Sequence, residues 1–252
     1  MAPSRRRKLD LVVSGLQLKY GPQAIRRAAA TEAAPAVARV PTAFPALDTA
    51  LQGGWPRGRL SELCGPVTSG KLTLAAKAIA ALHQADAQAL AAWLDTTRTC
   101  DPDYLHRCGV ALDRLLVAHA ATLADALALI LHLVESNTLG FLAVDALPAQ
   151  PAADATLSAG LARLVPLAAR TATAVLFLSE TPTAHPCSAG APALAHAAAV
   201  RVCLRREQWL TRGPDVRGYA GQAEVIKNRF GPTGVRVPVR IVFNGTVRGE
   251  GL

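Results

Sequence analysis

Gly65-Pro66-Val67-Thr68-Ser69-Gly70-Lys71-Leu72-Thr73 is the stretch on which the reading of this chain turns. It follows Arg59-Leu60-Ser61-Glu62-Leu63-Cys64, where polar and apolar residues alternate as in a strand, and it opens Lys71 to Gln84, a strong helix former. The spacing G-x-x-x-x-G-K is that of a phosphate-binding loop. Small residues let successive backbone N–H groups turn inward around a phosphate at the positive end of the helix dipole. Lys71 would reach the β- and γ-phosphates as a point charge. The nucleotide-binding residues expected here are therefore Gly65, Pro66, Val67, Thr68, Ser69, Gly70, Lys71, Leu72 and Thr73.

One position breaks the pattern. A working loop carries Ser or Thr directly after the lysine, and its hydroxyl ligates Mg²⁺. Here that residue is Leu72, and Thr73 is rotated about 100° further round the helix. The sequence thus predicts a retained loop with a damaged metal site. An acidic partner is expected at the end of a neighbouring strand. Phe141-Leu142-Ala143-Val144-Asp145 supplies it, with Asp145 placed to hold a water on the metal; a helix N-cap or turn role is the alternative for that residue.

Outward from the loop, short buried runs alternate with helical ones. Leu90 to Asp95, Leu115 to Ala118, Gly140 to Asp145 and Ala174 to Leu178 read as strands. Asp101 to Cys108, Leu123 to Ser136 and Ala155 to Arg170 read as helices. That alternation predicts an α/β domain with a mostly parallel central sheet. The tail runs Val200 to Leu204, Ala223 to Lys227 and Val235 to Phe243 lack intervening helices, so an antiparallel C-terminal edge is expected. Before the loop, Leu9 to Arg27 reads as an amphipathic helix interrupted near Gly21-Pro22. Ala28 to Pro45, rich in Ala, Pro and Thr, reads as a linker.

Composition sets limits on function. The 252 residues are 51% apolar, enough for a sizeable core. No stretch approaches the roughly 20 apolar residues of a membrane span, and the basic N-terminus makes a poor secretory signal. Cys64, Cys100, Cys108, Cys187 and Cys203 have no metal-ligand spacing and predict buried free thiols in a reducing cytoplasm. The six histidines pair with no Cys or carboxylate in a way that suggests catalysis, and structural or surface roles are expected for them. Net charge is +9, distributed as +6 over residues 1–39, −3 over 40–200 and +6 over 201–252. Basic ends suit a polyanion, since each cation placed against a phosphate releases counterions. The basic run Arg5-Arg6-Arg7-Lys8 is the expected DNA contact, a solvated tail being the alternative. With 22 Arg against 5 Lys and 51 Ala, a composition bias of the coding sequence accounts for part of this charge.

Taken together, these blocks resemble the core of the bacterial RecA-type recombinases. Leu47-Asp48, then Gly53-Gly54-Trp55-Pro56-Arg57-Gly58-Arg59 leading into the loop, is similar to that family's approach to its P-loop. Trp93-Leu94-Asp95, Asp101-Pro102-Asp103-Tyr104, Cys108-Gly109-Val110 and Asp113-Arg114-Leu115-Leu116 resemble its next block. Glu224-Val225-Ile226-Lys227-Asn228-Arg229 is similar to the late strand whose basic pair reaches a neighbouring subunit, which makes Lys227 and Arg229 the implied interface residues. Leu9 to Arg26 resembles the family's N-terminal oligomerisation helix. The resemblance implies a RecA-like P-loop core over residues 40–252 without a C-terminal domain, preceded by a basic helix and linker over 1–39 that acts as an oligomerisation or partner arm.

The departures carry the functional reading. Where the family places a catalytic glutamate two residues after the aspartate of its second core strand, Asp95 is followed by Thr96 and Thr97. Thr97 is a weak base at best. Ser179-Glu180 stands where the family has the pair that senses the γ-phosphate, and the two DNA-binding loops read as shortened, the second to Thr181 to Pro192. Loss of a metal ligand, a base and a sensor argues against efficient hydrolysis, because positioning and charge stabilisation make up most of phosphoryl-transfer catalysis. The pattern resembles the ImuA group of RecA-related accessory proteins. That resemblance implies a cytoplasmic factor of the DNA-damage (SOS) response and translesion synthesis, with an ImuB-type polymerase-like subunit, RecA and DNA as partners. It implies at most weakly bound ATP or ADP and a doubtful Mg²⁺. The alternative is a divergent DNA-dependent ATPase or recombinase.

Overall fold

The computed structural model describes residues 4–22, 24–25, 37–147, 154–182, 191–244 and 246–250. It divides into two units, residues 1–37 and 38–252. In the first, α1 (Arg5–Tyr20) is capped by Ser4, whose hydroxyl accepts from the Arg7 N–H. It stops at Gly21, whose φ of 94° suits glycine and whose N–H bonds the Gln17 carbonyl. The helix starts four residues earlier than the expected Leu9. Arg5, Arg6, Arg7 and Lys8 therefore form its exposed first turn and are not a tail. No residue of α1 is buried.

The second unit corrects the end of the linker, residues 38–45, while 28–36 lie outside the described residues. Arg39–Val40 (β1) pairs antiparallel with Trp55–Pro56 (β2), and α2 (Pro45–Ala50) starts on proline at its first turn. Val40, Thr42 and Phe44 are buried. Pro41 follows β1 and Pro45 opens α2, and the backbone around them lays Val40 and Phe44 into the core.

Nine strands form the main sheet, in the order β11-β10-β9-β8-β3-β7-β6-β4-β5. They are β3 (Leu60–Gly65), β4 (Leu90–Asp95), β5 (Leu115–His119), β6 (Leu139–Asp145), β7 (Ala174–Glu180), β8 (Val200–Arg212), β9 (Asp215–Asn228), β10 (Arg236–Asn244) and β11 (Thr246–Glu250). From β8 through β3 to β5 every pairing is parallel; from β8 to β11 every pairing is antiparallel. This is the expected fold class.

The helices are α3 (Lys71–Ala85), α4 (Pro102–Arg107), α5 (Leu123–Glu135), α6 (Asp154–Ala168) and α7 (Pro192–Ala197). α3 and α4 supply one buried cluster, with Leu74, Ile79 and Leu105, while α5, α6 and α7 supply the other, with Ile130, Leu164 and Leu194. Both faces of the parallel half are covered. That is why β3 is buried at all six positions, Ser61 and Glu62 included, where the sequence pattern predicts alternation. Glu62 is accommodated by Arg201 of β8, whose Nε lies 2.5 Å from Oε2.

The tail differs most from expectation. Four strands replace three runs, and β8 and β9 form a long hairpin turning at Gly213-Pro214. Its outer half, Arg205 to Arg217, is largely exposed. With neither face buried, no period-2 signal marks it as strand. Among the described residues no helix is long and apolar enough to cross a membrane. The expected remnants of the two DNA-binding loops fall largely on 148–153 and 183–190, and Cys187 with them, outside the described residues.

Candidate nucleotide site

The strands β3, β4, β6 and β7 run parallel, so Gly65, Asp95, Asp145 and Glu180 come to the same end of the sheet. In open α/β sheets that carboxyl end is where ligands bind. A cavity of about 570 Å³ opens there, floored by the loop Val67 to Lys71.

The loop is shaped by two left-handed residues. Thr68 has φ 58° and Gly70, which caps α3, has φ 99°. A Cβ on Gly70 would run into the Tyr219 hydroxyl, so close packing and backbone both demand glycine. Lys71 lies in the cavity wall with its ammonium folded back, donating to the Gly65 carbonyl at 2.8 Å and the Pro66 carbonyl at 2.7 Å. Burial lowers its pKa, and the charges of Glu180 and Asp145 work the other way. The Ser69 hydroxyl is buried without a partner, as is Asp145 Oδ2. Burial, then the Asp95 charge, pushes Asp145 up to about 6 in spite of Lys71. Asp145 therefore lines the cavity as a desolvated carboxylate, and no helix of the structure starts on it.

The positions expected to be degenerate are occupied in ways that prevent substitution. Leu72 is 40% exposed and lines the cavity with an aliphatic side chain. The Thr73 hydroxyl is engaged by the Tyr104 hydroxyl at 2.5 Å. Thr97 also lines the cavity, but its N–H and its hydroxyl both donate to Asp95 Oδ1, at 3.0 and 3.1 Å. Cys100 N–H donates to the other carboxylate oxygen at 2.8 Å. Burial raises the Asp95 pKa, and the bonds from Cys100, Thr99 and Thr97 outweigh it, so the group stays below its ordinary value. Thr96 ties the ends of β4 and β6 together, its hydroxyl donating to the Asp145 and Ala146 carbonyls.

A nucleotide's phosphates fit this floor: loop amides at a helix start, a lysine and an unsatisfied buried hydroxyl. Mg²⁺ does not. The hydroxyl that should follow the lysine is replaced by Leu72, the Thr73 hydroxyl is taken by Tyr104, and the unpartnered Ser69 hydroxyl lies on the other side of Lys71 in the chain.

Several site residues gave no sequence signal. Trp209, Tyr219 and Phe243 form an aromatic wall, with successive ring centroids 5.9 Å apart and edge-on, and all three line the cavity. Arg206 stacks over Trp209 at 4.2 Å and donates to the Thr68 hydroxyl at 2.8 Å, fastening the hairpin to the loop. A hairpin folded about Gly213-Pro214 pairs Trp209 with Tyr219, which was the available clue. His119 departs from the expectation for the histidines, its Nδ1 lying 3.9 Å from Asp95 Oδ2 across the β4–β5 pairing.

Other expected site residues are not brought to the cavity. Lys227 Nζ donates to the Ala195 and His196 carbonyls at 2.8 Å each, and Arg229 to the His196 carbonyl at 3.2 Å. Both satisfy the C-terminal carbonyls of α7. Arg5, Arg6, Arg7 and Lys8 lie in the other unit.

Known proteins place this geometry. The family model described as the RecA N-terminal domain matches residues 7–248. The chain belongs to the RecA family. It is 32% identical over 270 residues to Protein RecA of Clavibacter michiganensis subsp. michiganensis, covering 98% of this chain and 74% of the relative. Against Protein RecA of Geobacter sulfurreducens it is 32% identical over 278 residues, covering 100% and 80%. Among solved structures, the RadB recombinase superposes with a TM-score of 0.63 at 21% identity, over 80% of this chain and 96% of that one. The RecA-like fold read from the loop is thus shared in sequence and in architecture.

Proposed function

We propose that this RecA-family chain is an accessory factor of the DNA-damage response, of the ImuA type, that acts in mutagenic translesion synthesis by binding and not by turnover. Its cavity holds ATP or ADP without efficient hydrolysis. Its partners are an ImuB-type polymerase-like subunit, RecA and DNA. The observation that supports this most is Thr97: in the wall of the cavity, its hydroxyl is bonded to Asp95, so position 97 supplies no base to activate water. Leu72 beside it removes the metal ligand.

In this reading α1 is the partner arm, since none of its residues is buried and it carries Leu9, Leu11, Leu18 and Tyr20 on its surface. Arg5 to Lys8 meet DNA. Lys227 and Arg229 hold the short α7 in place on the face offered to a partner.

ATP turnover by the purified chain, with and without single-stranded DNA, tests the proposal, with Lys71→Ala as the blank. Turnover equal to the blank is expected. DNA-stimulated turnover above it would make the chain a divergent ATPase or recombinase, a reading for which the retained Lys71 and Asp145 speak. Co-purification with the polymerase-like subunit and with RecA, lost on removal of residues 1–37, tests the partner assignment.

A further inference from the structure

Among the described residues lining the cavity, Lys71 is the one cation, and Asp145 and Glu180 are the carboxylates. Glu180 ends β7 directly beside Gly65, where β3 enters the loop, and the following Thr181 N–H bonds the Gly65 carbonyl. Both acids act on Lys71, Glu180 more strongly than Asp145. The lysine of such a loop meets the β- and γ-phosphates. The space next to it is where a terminal phosphate would lie, and two carboxylates share that space.

In a loop with its hydroxyl in place, a divalent cation offsets such carboxylates. Here Leu72 occupies that position, the Thr73 hydroxyl is bonded to Tyr104, and the lysine is bonded to two loop carbonyls. Among the described residues lining the cavity, no second cation offsets the two carboxylates around Lys71, and the nearby Arg206 is held on Thr68. A third phosphate adds further negative charge at that spot, and like charges at close range in a partly buried site repel strongly enough to discriminate. The diphosphate keeps the loop amides, the Ser69 hydroxyl and Lys71 without that repulsion.

We infer that the cavity selects a nucleoside diphosphate over the triphosphate, and that Glu180 is the residue that sets this preference. The inference rests on the nucleotide-binding part of the proposed function. It gives the protein a resting ligand that no hydrolysis step needs to generate.

Calorimetric titration of the full chain with ADP and with ATP, each in EDTA and in Mg²⁺, tests it. Wild type is expected to bind ADP at least tenfold more tightly than ATP, with little change on adding Mg²⁺. In Glu180→Gln the ratio should fall below threefold, chiefly through tighter ATP binding, with an unchanged melting temperature because the side chain is exposed. ATP bound as tightly as ADP in wild type would overturn the inference and leave nucleotide binding standing. An unchanged ratio in Glu180→Gln would also overturn it. Binding of neither nucleotide would overturn nucleotide binding itself, and the selectivity with it.

Discussion

The Thr97 hydroxyl donates to Asp95 Oδ1 at 3.1 Å, so a side chain that faces the cavity is held by the acid two residues before it. The carboxylate takes three hydrogen bonds from the turn Thr97 to Cys100, which stabilises its ionised form and fixes the end of β4. These bonds tie the turn that carries Thr97 to the end of β4.

Restoring chemistry therefore takes more than one change. Thr97→Glu alone is expected to leave ATP turnover at the Lys71→Ala blank, since no metal ligand accompanies the new carboxylate. Leu72→Thr combined with Thr97→Glu should raise Mg²⁺-dependent turnover at least tenfold above either single variant. A phosphate-release assay reads this directly.

Asp145 gives the protein a pH signature. Its pKa rises from 3.8 to about 6 on folding, so the folded state binds more protons than the unfolded state between these values. The contribution favours folding below about pH 4 and is lost as pH rises through about 6. Asp145→Asn should stabilise the ligand-free protein at pH 7.5 by on the order of 3 kcal/mol and lose most of that advantage at pH 4.5. Urea melts of the two proteins at both pH values check it. Asp95, held low, contributes in the opposite sense and only in more acidic solution.

Arg206 fastens the hairpin to the loop through Thr68. The side chain is exposed, so Arg206→Ala should cost less than about 1 kcal/mol of global stability. Locally, amide exchange over residues 66–70 should speed up several-fold in hydrogen–deuterium exchange, while β6 is unaffected.

Arg201 and Glu62 form an ion pair across β8 and β3, with the acid fully buried. Removing one partner strands a charge: Arg201→Met should cost about 3–5 kcal/mol, and Glu62→Leu with Arg201→Met should recover most of it. Thermal denaturation of the single and double variants measures the coupling.

The loop and its flanks were legible because their information is local. Glycine spacing, one lysine and a strand-to-helix change specify a phosphate cradle within nine residues, and Asp145 ends a run whose apolar length marks a buried strand. Leu72 could be judged for the same reason, and Thr97 only through the resemblance to the family. What stayed hidden depends on residues far apart in the chain. Glu180 becomes a wall of the cavity only because β7 lies beside β3, and Trp209 and Tyr219 only because a hairpin with two exposed faces folds back over the loop. Val40 and Phe44 sit among prolines and alanines, where composition says linker and tertiary packing says core. Lys227 and Arg229 carry nothing in sequence to announce the carbonyls of α7.

The cations of the C-terminal segment are largely engaged by the protein itself. Arg201 is on Glu62, Lys227 and Arg229 are on helix carbonyls, Arg236 is on Glu224, Arg217 is on Asp215, and Arg206 is on Thr68. Arg201, Arg217 and Arg236 face carboxylates, while Lys227, Arg229 and Arg206 keep their charge but are held on neutral carbonyl and hydroxyl oxygens. To meet a phosphate each of these side chains must first leave its partner, so fewer of them release counterions and affinity for nucleic acid should decline with added salt more gently than a segment of net +6 suggests.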